Sequence, residues 1–158
     1  MTSEYRLRFK EVDERAAKEA VSSGRVVICA FDLSHYEWDY FVSFFEENKR
    51  GVLIRSKMKT YEREMRLLSN DNRPLSLKDL RGHVVVLTEW DENSMRLMSS
   101  WGPEFGDDGF FRVQDSSALR AVTFWDVYWS HDDLRPSEKW HFFWDVYWSH
   151  DDLRPSEK

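Results

Sequence analysis

Cysteine occurs once in the 158 residues, at Cys29. No disulfide can therefore form within the chain, and no cysteine-cluster metal site exists. No apolar run approaches the roughly 18 residues that a membrane-spanning helix needs. Positive charge is not in surplus: 23 Lys and Arg stand against 29 Asp and Glu, a net charge of −6. Surfaces for nucleic acid or anionic membranes need clustered positive charge, so neither partner is expected. The first ten residues lack an apolar h-region and a cleavage signal, which makes the cytosol the default compartment.

What is there points to one folded domain. Aromatic residues are 16% of the chain, too many for a disordered one. The length suffices for a real core. Tyr5, Leu7 and Phe9 alternate with arginines, the period of a half-buried strand. Residues 11–22 read as a helix with Val12, Ala16, Ala20 and Val21 on one face, stopped at Ser22-Ser23-Gly24. Val26 to Phe31 is a continuous apolar run, the mark of a strand covered on both faces. Asp32 or Ser34 can cap the next helix, in which Trp38, Phe41, Val42 and Phe45 fall at i, i+3, i+4 and i+7. Gly51 ends that helix, and Val52-Leu53-Ile54 begins a strand. Residues 59–68 fit a short helix through Tyr61, Met65 and Leu68, and Asn70 to Pro74 is loop chemistry. Val84 to Leu87 restarts a strand, Asp91-Glu92-Asn93 turns, and Met95, Leu97 and Ser99 alternate on the way back. Gly102, Gly106 and Gly109 mark a tight loop with special backbone angles before the strand Phe110 to Val113. The expected fold class is α+β: a twisted, mostly antiparallel sheet with two or three flanking helices.

Residues 124–139 (FWDVYWSHDDLRPSEK) recur unchanged at 143–158. Two copies are too few for a solenoid. Each offers a strand-like stretch, Phe124 to Trp129 in the first, and Pro136 fits the first position of a helix. The expected division is a domain at 1–120 and an aromatic tail at 121–158. The tail's aromatics suit either a partner surface anchored on Trp and Tyr or a first copy that completes the sheet beside a surplus second. His131-Asp132-Asp133 and His150-Asp151-Asp152 have metal-ligating side chains. Neighbours on a strand or turn point apart, however, so solvated turns are the better reading and no metal is expected.

Residues 82–113 carry the chemistry. A three-residue loop at 91–93 would pair Trp90 with Ser94, placing His83 opposite Trp101 and Val85 opposite Ser99. His83 and Ser99 then become diagonal neighbours on one face, roughly 7–8 Å apart at the backbone. An indole beside an imidazole shields it from water, and a hydroxyl near its ring nitrogen fixes the tautomer. A slip of one residue would put the groups on opposite faces.

Gly82-His83-Val84-Val85-Val86-Leu87, then Ser99-Ser100-Trp101-Gly102 and Gly106-Asp107-Asp108-Gly109-Phe110-Phe111-Arg112-Val113, resembles the C-terminal, right-hand lobe of papain-like cysteine peptidases. That family has a His opening a strand, then N-S-W-G, then W-G-x-x-G-Y/F-x-R-I/V. The likeness spans about residues 5–115, more weakly over the helix–strand–helix of 11–48. It implies peptide-bond hydrolysis (proteolysis) by a thiolate that attacks the carbonyl. A His pairs with the thiolate and returns a proton to the leaving amine, and an Asn orients the His. By resemblance His83 is the catalytic His, Ser99 holds the family's Asn position, and Trp101 is the shield over their hydrogen bond. Serine is shorter than asparagine and often needs a bridging water there. Phe105 replaces the Trp usual before Gly106. Members of the family are often lysosomal or secreted.

The family's nucleophile lies at a helix N-terminus in the left-hand lobe, in a Q-x-x-x-x-C-W setting, and this sequence has no such motif. The order Cys29…His83…Ser99 mimics a triad. Cys29, however, lies in an apolar run, where a thiol is inert, without a following helix N-terminus or an oxyanion donor. The expectation is a chain inactive alone, either a fragment of a larger peptidase or a decayed pseudoenzyme. A peptide or protein substrate would be held only once a left-hand lobe completed the cleft. The alternative is a non-catalytic protein-interaction module that uses the exposed lobe face and the aromatic tail, with self-association as its consequence. No cofactor is expected, since the Gly102–Gly109 loop lacks the Lys and Ser/Thr of a phosphate-binding loop.

Overall fold

Caps set the element boundaries. The computed structural model describes residues 8–128. Phe9–Val127 form one compact unit, and the other unit, Met1–Arg8 with Tyr128–Lys158, falls almost wholly outside the described residues. Strand β1 is Arg8–Val12 and helix α1 is Glu14–Ser22. Asp13 is extended and its side chain accepts the Ala16 N–H at 2.8 Å. This cap moves the helix start from the expected residue 11 to residue 14. The buried face is Ala17 and Ala20 rather than Ala16. Gly24, at φ 78, donates to Val21 O while Arg25 donates to Ala20 O, the paired bonds that close a helix end.

Strand β2 (Val26–Ser34) runs three residues beyond Phe31, the expected end. It alternates buried Val27, Cys29, Phe31 and Leu33 with half-buried neighbours, so one face is fully covered rather than both. Ser34 and not Asp32 caps α2 (His35–Glu47), in a reciprocal box with Glu37. Strand β3 is Val52–Leu53. Helix α3 (Arg55–Leu68) starts four residues before the expected 59, buries Met58, and leaves Leu68 exposed.

Four strands complete the sheet: β4 (Leu80–Trp90), β5 (Met95–Met98), β6 (Phe110–Val113) and β7 (Arg120–Tyr128). Among the described residues the fold is α+β, a seven-stranded mixed sheet in the order β1-β7-β2-β4-β5-β6-β3 with three α-helices. β2 pairs antiparallel with β4 and β7, β4 with β5 and β5 with β6, while β3 runs parallel to β6. The sheet continues past residue 120, because β7 includes Phe124 to Tyr128 of the first repeat copy. The rest of that copy, with His131-Asp132-Asp133 and Pro136, and the whole second copy lie outside the described residues.

The hairpin corrects the expected turn. Trp90 pairs with Met95, not Ser94, so the loop has four residues, 91–94. The Asp91 carboxylate accepts the N–H groups of Asn93 and Ser94, which draws Ser94 into the turn. A bulge between Leu87 and Glu89 absorbs the extra residue. Beyond it Leu87 faces Leu97 and Val86 faces Met98, the register the three-residue loop would have produced.

Phenylalanines dominate the core. Phe41 lies 5.1 Å from both Phe45 and Phe111 between ring centres, and Phe105 stacks on Phe41 at 5.8 Å. Beside this core is a polar knot. Arg120 donates to both carboxylate oxygens of buried Glu37, at 3.0 and 2.7 Å. It also reaches Glu62 of α3 at 3.5 Å, and Ser34 donates to Glu62 at 3.1 Å. Removing one partner of such a pair strands a buried charge at a cost of about 3–5 kcal/mol. Arg120→Met should therefore lower the urea midpoint without changing the m-value, and adding Glu37→Met should recover part of the loss. A single variant as stable as the parent would contradict a structural role for the pair.

Candidate functional site

His83 is fixed by strand pairing. It lies opposite Phe31, and residues directly opposite share a face, so the imidazole points to the side of the sheet that carries the aromatic core. Ser99 follows β5 directly. Its N–H donates to Gly109 O at 2.8 Å, which ties the glycine loop back to the strand end. Gly109 has φ 86, which strains any side chain, and a Cβ there would sit 3.1 Å from Gly102 O, a tight contact that the loop would have to relax.

This placement leaves Ser99 Oγ 3.2 Å from His83 Nε2. The same oxygen accepts the Trp101 N–H at 3.3 Å. Serine is long enough here to reach the ring without a bridging water. In the tautomer that donates Nε2–H to Ser99, Nδ1 is the basic nitrogen, and no described residue hydrogen-bonds it. The Trp101 ring lies 4.7 Å from the imidazole at 34°. Trp38 and Phe31 meet it edge-on at 6.0 and 5.9 Å. Trp38 is held by its own indole N–H, which donates to Arg81 O at 3.0 Å. Desolvation by these rings pushes the His83 pKa below its ordinary 6.5, so the imidazole is neutral at pH 7. Trp101 is itself 43% exposed and covers the imidazole from one side only.

His83, Ser99 and Trp101 thus come together, and Cys29 does not join them. It faces Val85, the next residue on that face of β4, and is fully buried. Burial first, and the Glu14 carboxylate second, push its thiol up to about 12. Such a thiol supplies no nucleophile at neutral pH. No group of three or more His, Cys, Asp or Glu among the described residues is arranged to hold a metal ion.

His83, Trp38 and Trp101 line a groove of about 730 Å³. Arg66, Arg73, Lys78 and Arg81 also line it. Two contributors are not marked in the sequence. Trp38 reads there only as part of the apolar face of its helix. Arg81 lies two residues before His83, but nothing in the sequence marks its carbonyl as a partner for Trp38.

No family model and no curated protein matches the chain. Among solved structures it is similar to xylellain, a cysteine protease from Xylella fastidiosa, at 16% identity and a TM-score of 0.44. That likeness covers 78% of this chain and 40% of xylellain's. It is also similar to PepW from Lactobacillus rhamnosis HN001, at 18% identity and a TM-score of 0.41, over 86% of this chain and 30% of the other. The chain therefore spans less than half the length of either.

A depressed His pKa has a defined sign in stability. The unfolded chain binds a proton at a pH where the folded chain does not, so stability rises with pH. The contribution is complete above 6.5 and is lost as pH falls through 6.5 towards the lower folded value. His83→Gln should flatten the pH dependence of the urea midpoint between about pH 7.5 and 5. An NMR titration should place the His83 midpoint below that of a free imidazole, and Trp101→Ala should raise it. A midpoint above 6.5 in the parent would refute the desolvation account.

Proposed function

We propose that Phe9–Val127 is the imidazole-bearing half of a thiol-peptidase cleft, the counterpart of the right-hand lobe in papain-like enzymes. The observation that carries this reading is the 3.2 Å contact between His83 Nε2 and Ser99 Oγ beneath the Trp101 ring. An imidazole anchored at Nε2 presents Nδ1 outward, where a thiol supplied by another segment or chain can give up its proton. The thiolate adds to the peptide carbonyl carbon, and the imidazolium returns the proton to the departing amine. Water, deprotonated by the same nitrogen, then releases the acyl group and regenerates the thiol.

Each residue has a role in this scheme. His83 moves the proton, Ser99 orients the ring from the position where the family has Asn, and Trp101 excludes water from their bond. Trp38 positions Trp101, at 5.7 Å between ring centres. The sequence contains no second cysteine. Phe9–Val127 by itself is therefore inactive on peptides, because an imidazole without a thiolate forms no acyl intermediate.

Two measurements test the proposal. A thiol-directed epoxide probe should leave the folded chain unlabelled, and labelling at Cys29 that His83→Ala abolishes would overturn the half-site. The native transcript upstream of residue 1 can be sequenced for an in-frame Q-x-x-x-x-C-W segment and the joined protein assayed on a fluorogenic peptide. In that protein His83→Ala should lower the rate by about 10²–10⁴-fold. Absence of the segment, together with self-association in sedimentation, would favour a non-catalytic interaction module instead.

A further inference from the structure

We propose that the groove beside His83 selects peptides rich in Asp and Glu, an inference that rests on reading this site as a peptide cleft. The chain carries a net charge of −6, yet the groove wall is basic. Lys78 and Arg81 line it, are exposed, and make no ion pair among the described residues.

The basic wall extends along α3. A second groove, of about 500 Å³, shares Arg66, Asp71 and Leu75 with the first, so the two adjoin. Lys59, Arg63 and Arg66 line it, at helical spacings of four and three that bring them to one face. Lys59 and Arg63 also lack ion-pair partners among the described residues.

The acidic groups along this path are already engaged. Asp71 is paired with Arg73 at 3.2 Å. Asp79 accepts the Ser76 N–H at 2.9 Å. Glu62 is tied to Arg120 and Ser34. Lys78 and Arg81 in the first groove and Lys59 and Arg63 in the second therefore have no ion-pair partner among the described residues, and carboxylates are their natural complement. Leu67 and Leu75 line the same track. Apolar walls interleaved with cations suit a peptide that alternates acidic and apolar side chains. Leu67 and Leu75 offer apolar contacts that a polyphosphate chain cannot use, which favours a peptide.

The test uses the full chain and fluorescence anisotropy with short labelled peptides. A Glu/Leu peptide should bind about tenfold more tightly than its Gln/Leu counterpart, and the difference should shrink as salt rises. Lys78→Gln with Arg81→Gln, and separately Lys59→Gln with Arg63→Gln, should each weaken the Glu/Leu peptide by about fivefold with circular dichroism unchanged. Lys78→Glu with Arg81→Glu should shift the preference to a Lys/Leu peptide. Equal binding of the Glu and Gln peptides would overturn the proposal, as would displacement of the Glu/Leu peptide by oligothymidylate at lower concentration than by itself. The two readings fail separately. Charge-dependent binding by this chain, with no hydrolysis by the protein joined to an upstream Q-x-x-x-x-C-W segment, condemns the peptidase reading, whereas hydrolysis by the joined protein with equal binding of the Glu/Leu and Gln/Leu peptides condemns this one.

Discussion

The contact between Glu37 and Arg120 is the constraint from which the site's position follows. Glu37 occupies the third position of α2, where a carboxylate gains from the helix N-terminus and from the reciprocal box with Ser34. That turn alone would leave the helix free to pivot on its apolar face. Arg120 removes the freedom, because it is anchored in the sheet opposite Asp32, at the point where the β2–β7 register shifts. The bidentate geometry restrains orientation as well as distance. Glu62 extends the hold to α3. Trp38 follows Glu37 directly, so the clamp decides where its indole meets Arg81 O and the Trp101 ring.

From there the aromatic rings run without a break from core to site. Phe41 contacts Phe31, Trp38, Trp101, Phe105 and Phe111 at ring-centre distances of 5.1–6.1 Å. His83 is the polar end of that cluster. Its protonation is consequently coupled to core packing. A change that loosens Phe41 admits water towards Trp101 and weakens the desolvation that holds the imidazole neutral. Protein interiors transmit such shifts because they are packed densely.

The elements were legible where local chemistry decides them. The Ser34-x-x-Glu37 spacing and the apolar rhythm through Phe45 define α2 in the sequence, and the two-residue alternation before and after Asp91 defines the hairpin. Its turn was less legible. Ser94 continues the alternation, yet its N–H and hydroxyl are claimed by Asp91, and no sequence signal places the compensating bulge near Thr88. The juxtaposition of His83 and Ser99 survives because two irregularities cancel. The Glu37–Arg120 pair joins residues 83 positions apart, and the basic groove draws on α3 and on the segment before β4. Overall composition, which is acidic, conceals that groove because pairing decides which charges face solvent, and composition does not record pairing.

A lone imidazole also differs electrically from one paired with a thiolate. Alone, the His83 ring lies among aromatic rings beside a neutral hydroxyl, and the desolvation that this burial imposes favours the uncharged imidazole. A thiolate placed against Nδ1 would reverse that balance, since an adjacent anion stabilises the imidazolium while the same low-polarity surroundings strengthen the attraction between them. Desolvation that lowers the pKa of the lone ring would thus hold the ion pair together once it formed. Ser99 contributes to this through geometry more than charge. It accepts from Trp101 and bonds Nε2, which fixes the orientation of the imidazole in either protonation state. An asparagine would add a stronger dipole at that position but also a longer side chain, in a space where the hydroxyl already reaches the ring directly.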